Sequence, residues 1–438
     1  MRERDWSLAL VLAAVAAIWL LAASRWIVTD TVVPWDAKNQ FYAFFRFLAS
    51  TIHGGHAPFW NPYHYGGHPS VADPQSLIFS PPFVLWALFD PAPSIRAFDL
   101  IVYAHLAVGG LAVGALGWRA GWPLPASVLA AVIFMFGGPA SGRLQHSGII
   151  ISYGLFPVVL LLIQMALHRR SVPIAGAFGI VAAVLALGRN HEALLLCFVL
   201  AAALAGEILS ADDRRRYLRE RAAVLPTMAI VSLVLVAVPL LLTVQFAALS
   251  NRPEVPLEKA LEASLYPANL ASLAVANVLG SLETTQVYWG PNHDTLPAVG
   301  ATDRSFNYLF VGAASTIVVL WFGIAGGGVL RRANRVMAAV LLWRCSTRWA
   351  ATRRSTLSHS RWCRASACSA GRSTARSCWS PHSRCLPASC SPTTCATASR
   401  ASLPGGLSPL LRRHSASSPG PCCSRASPIT DCRRSGRS

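Results

Sequence analysis

Eight apolar runs, most of them close to twenty residues long and nearly free of charge, govern what this chain can become. They lie at 7–28, 97–117, 124–138, 148–167, 171–188, 191–209, 224–249 and 307–330. The hydrocarbon core of a bilayer takes about 20 apolar residues per helix. The expectation is an all-α fold, a polytopic transmembrane helical bundle. A ninth run starts near Val336 and is interrupted. The stretch 77–89 is too short to span and carries Pro81-Pro82, so it reads as a re-entrant or interfacial segment. The first run ends on Arg25 and Trp26 rather than on a small-residue cleavage site, which makes it an anchor and not a signal peptide.

Composition matters because it breaks. Residues 1–343 hold 22 Lys+Arg and 18 Asp+Glu, whereas residues 344–438 hold 16 Arg, no Lys and the single acid Asp431. Most of the net charge of +19 therefore belongs to the last quarter, and a nucleic-acid partner is not indicated. Ten of the eleven cysteines fall there too, at spacings that suggest neither a zinc site nor a disulfide framework. This Arg/Ser/Cys/Pro-rich tail has no apolar period and cannot bury a core. It reads as a disordered basic arm or, more sharply, as out-of-frame translation of a GC-rich gene. Codons allowed for Leu342 to Ala350 can, in a shifted frame, continue the apolar run. The expected organisation is a transmembrane region at 1–343 and an unstructured, frameshifted tail at 344–438. The chain would then be truncated and its activity in question.

Positive charge in short loops sets orientation. With the N-terminus inside, Arg119, Arg169-Arg170, the cluster from Arg214 to Arg221 and Arg331-Arg332 share the cytoplasmic side. The opposite side receives two long loops, near 29–96 and 250–306, which hold most of the acids.

The first of these loops is dense in aromatics, Gly, Pro and His. Residues 37–52 read as an amphipathic helix lying at the membrane interface, with Phe41, Phe44, Phe45 and Leu48 on one side. Asp36 precedes it. A carboxylate there suits a general base toward a hydroxyl and suits an N-cap equally well. Asp30 is a weaker candidate. His53, His56, His64 and His68 lie on loop rather than on one helix face, so no metal is expected. Three further elements of the same side stand out: 142–146 with Arg143 and His146, 188–192 with Arg189 and His191, and 288–294 with Trp289. Arg143 and Arg189 break the charge trend, which suits either an anion such as a lipid phosphate or snorkelling to headgroups.

The order Pro34-Trp35-Asp36, then Gly-His-Ala-Pro-Phe-Trp-Asn-Pro-Tyr at 55–63, Gly67-His68-Pro69 and Ala72-Asp73-Pro74-Gln75-Ser76 resembles the YfhO-like bacterial membrane proteins of the GT-C glycosyltransferase superfamily. Tyr288-Trp289-Gly290 and 308–312 add to the likeness, which covers about residues 1–343. The resemblance implies a multi-pass enzyme of the bacterial inner (cytoplasmic) membrane. It would move a sugar, with inversion, from a polyprenyl-phosphate donor on the outer face. Asp36 would be the catalytic residue. Arg143, His146, Arg189 and His191 would bind the lipid phosphate, and Asp30, Trp60, Asn61, Asp73 and Trp289 would contact the acceptor or shape the loop. Asp30 and Asp36 lie six apart and form no paired-acid motif, so no cofactor or metal is expected. Membrane lipids are the remaining partner. The rival readings are a transporter or lipid flippase, which wants ionisable residues within spans, and a non-enzymatic membrane protein. Gln164 and Gln245 are the polar groups this reading finds in the spans.

Overall fold

The computed structural model describes residues 7–188, 191–250, 267–280, 288–290 and 308–331. The tail at 344–438 and the run starting near Val336 lie outside them. Helix α1 (Leu8–Val28) starts on Ser7, whose hydroxyl accepts the Leu10 N–H at 3.2 Å. The first long connection carries a π turn (Ala37–Phe41), α2 (Tyr42–His53) and α3 (Pro81–Phe89). There follow α4 (Ile95–Arg119), α5 (Leu124–Phe136) with the short α6 (Gly138–Ser141), α7 (Ser147–Arg169) and α8 (Val172–Ala186). The chain continues through α9 (His191–Leu209), the short basic α10 (Arg214–Glu220), α11 (Val224–Leu249) and α12 (Ala313–Val318). Among the described residues there is no strand, only an isolated bridge between Asn61 and His68.

Six of these elements are long and apolar enough to cross a bilayer: α1, α4, α5 with α6, α7, α9 and α11. The protein is a multi-pass membrane protein with an all-helical bundle. Two of the eight expected runs form shorter helices. Helix α8 has 15 residues and rises about 22 Å at 1.5 Å per residue, short of the ~30 Å hydrocarbon core. Pro173 occupies its first turn and the chain leaves the helix at Leu187-Gly188. The run at 307–330 forms a short apolar helix over Ala313–Ala325, between Gly312 and Gly327, both at positive φ, and a single 3-10 turn at Gly328–Leu330. The 77–89 stretch yields α3, nine residues long and too short to cross.

The two ends of the bundle differ. At one end Arg221 donates from Nε to the Leu167 carbonyl at 3.0 Å, closing α10 onto the end of α7. Arg170 and Arg216 reach Glu220 at 2.7 and 3.0 Å. The hydrogen bond from Arg216, with the charges of Arg170 and Arg221, holds the Glu220 carboxyl below its usual range. At the other end the Thr243 hydroxyl donates to the Ala72 carbonyl at 3.2 Å, tying α11 to the first long loop. The arginine-rich turns and the long aromatic loop thus sit at opposite ends.

Helix α4 is the centre, packed on α1, α5 and α7, and α8 rests on α7 and α11. Membrane helices gain nothing by hiding apolar surface from lipid, so they pack through small residues that let backbones approach. Here the residues are glycines. A Cβ on Gly109 would stand 2.5 Å from a Phe134 ring carbon and 2.6 Å from the Gly154 carbonyl oxygen, and one on Gly154 would run into the His105 carbonyl. Phe134 itself is stacked on Tyr153 with ring centroids 4.2 Å apart.

The amphipathic segment folds as expected, but its apolar side does not lie on lipid. Phe41, Phe45 and Leu48 are buried against α3 and α4. The rings of Phe45 and Phe83 are 5.1 Å apart and those of Phe83 and Phe98 5.4 Å, the second pair tilted. Aromatic pairs at such separations stabilise beyond their area burial, and they fix the loop to the bundle.

Candidate functional site

The candidate site begins with a backbone outlier. Trp35 has φ +57, a left-handed conformation that costs a bulky L-residue on the order of 1 kcal/mol. This turn brings the chain into the π segment, where the Asn39 N–H donates to the Trp35 carbonyl at 2.8 Å. Asp36 occupies the capping position, yet its side chain makes no capping hydrogen bond. Of the two readings of Asp36, the cap is therefore not the one adopted. Its Oδ2 instead stands 3.7 Å from Nε2 of His146, with the Asp36 side chain half exposed and that of His146 mostly buried.

His146 is held by its own backbone. Its N–H donates to the Arg143 carbonyl at 2.8 Å, and its carbonyl accepts the Ile149 N–H at 2.9 Å as α7 begins. Two residues 110 positions apart in sequence thus meet where the long loop crosses the start of α7.

Beside them is a cavity of about 190 Å³. His146 forms part of its wall, with Phe41, Leu77, Phe79 and Ile149 supplying apolar surface and Gln75 and Ser80 polar groups. The far side is the end of α8, through Leu187 and Gly188. The Gln75 amide is fixed by Gln40, which donates from Nε2 to its Oε1 at 2.5 Å. Gln40 also lines a second hollow of about 340 Å³, with Asn39, Arg46, Asn61 and His64. Two hollows, the second the more polar, therefore share a hydrogen bond, and Asp36 lies in the wall of neither. Concave, mostly apolar sites with a few converging polar groups are where small ligands bind.

The other sequence candidates divide. Asp73 shapes the loop: Oδ2 pairs with His68 Nε2 at 2.9 Å, Oδ1 accepts the Gln75 N–H at 2.8 Å, and its carbonyl accepts the Ser76 hydroxyl at 2.9 Å. Asn61 exchanges backbone hydrogen bonds with His68 at 2.8 and 2.9 Å and accepts the Tyr63 N–H on Oδ1 at 3.0 Å. The Trp60 ring lies 2.6 Å from where a Cβ on Gly67 would be, and Gly67 has φ +127, so only glycine fits there. Asp30 is exposed and paired with Arg96. Arg143 is half-buried in the turn before His146 and is not part of the wall of the 190 Å³ cavity. Trp289 is exposed, its N–H donating to the Leu279 carbonyl at 3.1 Å, and it lines neither hollow. Arg189 lies outside the described residues, and His191 opens α9 with its side chain outside them.

Sequence reading assigned no role to Gln75 or Ser80, although Gln75 and its neighbour Ser76 stood in the loop pattern. It also passed over Asp99 and His105, which are buried within α4. Their signal was present: an acid and a histidine six residues apart inside an apolar run. Among the described residues no three His, Cys, Asp or Glu side chains converge as a metal site would require. Compared with protein families, curated proteins and solved structures, the chain matches none.

Proposed function

We propose that the chain is a membrane glycosyltransferase of the GT-C type, using a polyprenyl-phosphate-linked sugar on the outer face of the bacterial cytoplasmic membrane, with its N-terminus in the cytoplasm. The observation that carries this reading is the Asp36–His146 pair beside a cavity walled by Phe41, Leu77 and Ile149 and floored by polar Gln75 and Ser80. The collection of arginines at the opposite end supports the orientation.

Asp36 takes the proton from an acceptor hydroxyl. The hydroxyl oxygen attacks the anomeric carbon from the face opposite the lipid phosphate. The bond from that carbon to the phosphate oxygen breaks and its electron pair leaves with the phosphate. His146 and Arg143, three residues before it, stabilise the departing charge, with Arg189 and His191 the further candidates for that role. The apolar cavity suits the first isoprene units of the donor, and the second hollow, with Asn39, Arg46, Asn61 and His64 in its wall, suits the acceptor.

Sugar transfer from a polyprenyl-phosphate hexose in reconstituted vesicles tests the reading. Asp36→Asn lowers turnover by roughly 10²–10⁴-fold, the usual range for a general base, and Asp30→Asn leaves it near the wild-type rate. Equal transfer by wild type and Asp36→Asn removes Asp36 from the mechanism. Buried Asp99 and His105 favour a second reading, a lipid transporter. Movement of a labelled lipid across the vesicle by a chain that transfers no sugar selects it.

A further inference from the structure

A separate cavity of about 140 Å³ opens between the end of α1 and the start of α4. It shares no residue with the Asp36 site and its interpretation does not depend on the proposed function. Asp99 stands in its wall, with side-chain and backbone together only 4% exposed. One carboxylate oxygen, Oδ2, accepts the Val33 N–H at 3.0 Å. The other, Oδ1, is screened from water and has no hydrogen-bond donor among the described residues. A buried carboxylate with half its acceptor capacity unused is costly unless a donor, best a cationic one, is supplied to it.

The rest of the wall says what that donor is. Trp26 and Tyr103 sit with ring centroids 5.0 Å apart, and both line the cavity. Aromatic faces attract ammonium groups. A metal cation would need several oxygen ligands, and beside Asp99 the wall adds only the neutral hydroxyls of Thr31 and Tyr103. A quaternary ammonium carries no N–H for Oδ1, so a primary ammonium fits better. Arg96, paired with the exposed Asp30, lies on the same wall and suits a phosphate. Ile27 and Leu100 also line the cavity while remaining 49% and 40% exposed, which gives it an apolar mouth.

We propose that this cavity binds the headgroup of a membrane lipid carrying a primary ammonium beside a phosphate, the ammonium meeting Asp99 alongside the Trp26 and Tyr103 rings and the phosphate meeting Arg96. The shared chemistry is that of phosphoethanolamine, and the lipid is the source to which the apolar mouth points. The full chain, purified and loaded with phosphatidylethanolamine, phosphatidylglycerol or N-acetyl-phosphatidylethanolamine of identical acyl chains, is read by native mass spectrometry for retained lipid. Phosphatidylethanolamine is retained over the other two, and Asp99→Asn, which keeps an acceptor for the Val33 N–H, lowers its retention by roughly tenfold or more. Trp26→Leu lowers it as well. Equal retention of phosphatidylethanolamine and its N-acetyl form by the wild type overturns the proposal without recourse to any variant. Unchanged retention by a folded Asp99→Asn overturns it too, as does displacement of the lipid by an equal concentration of free phosphoethanolamine.

Discussion

The close crossing of α4 and α7 sets the cost of adding a single methyl group at Gly109. In Gly109→Ala the new Cβ is built 2.6 Å from the Gly154 carbonyl oxygen, while real Cβ contacts are not found below 3.0 Å. The helices must part by at least about 0.4 Å, because a backbone carbonyl cannot swing aside and Phe134, 2.5 Å away on the other side, is locked in its stack on Tyr153. Overpacking of this kind costs about 1–3 kcal/mol. The shift also reaches the site, since Gly154 stands only two turns along α7 from His146, while Asp36 is carried by the loop. Misplacement of reacting groups by even ~1 Å costs up to about 100-fold in rate. Detergent-to-SDS unfolding titrations of Gly109→Ala should show the loss of stability, with Gly176→Ala as control. Gly176 is also helical, but nothing lies within 4 Å of its would-be Cβ, so the control should be neutral or stabilising by up to about 1 kcal/mol. Equal stability of Gly109→Ala and wild type would refute the close-packed crossing.

Phe45→Ala, at a fully buried ring between Phe83 and Phe98, should cost about 3–5 kcal/mol, read in the same titration; a cost below that of Gly109→Ala would count against the aromatic cluster as the anchor of the loop. Asp73→Asn should weaken the His68 contact at 2.9 Å and raise the rate of protease cleavage within 55–80, leaving helix content by circular dichroism unchanged; equal cleavage rates would discount the clasp. The Glu220 carboxyl is held below its ordinary value of 4.5, so its ion pairs contribute stability that is fully present above about 4.5 and is lost as pH falls through the lower folded value. A carbon-13 NMR titration should find a depressed midpoint that rises in Arg216→Ala, and an unmoved midpoint would discount Arg216 as the main cause.

The bundle was legible because its signal is local: each long apolar run can satisfy its backbone only as a helix. Length was harder. The limits of α8 depend on Pro173 at one end and Gly188 at the other, which a hydropathy window averages away. The site was partly legible. Asp36 and His146 were singled out by type and by the side of the membrane assigned to them, but their pairing depends on how the loop lies across the start of α7, and no spacing encodes that. The burial of Phe41, Phe45 and Leu48 against α3 and α4 likewise arises from tertiary packing that an amphipathic pattern shares with a helix on lipid. Asp99 was hidden for the opposite reason, since one acid barely lowers the mean hydropathy of a 25-residue helix.

The mooring of the first loop to α11 has a mechanical consequence. Thr243 holds the Ala72 carbonyl, and the Phe246 ring meets His68 with centroids 5.3 Å apart. Only 11% of the α11 span is buried within the protein, so this helix answers to the lipids around it. Two to five residues beyond Ala72 come Pro74, Gln75 and Leu77, which wall the cavity. Bilayer thickness and lateral pressure therefore have a lever on cavity shape: tilting one peripheral helix pulls on the strap that frames it.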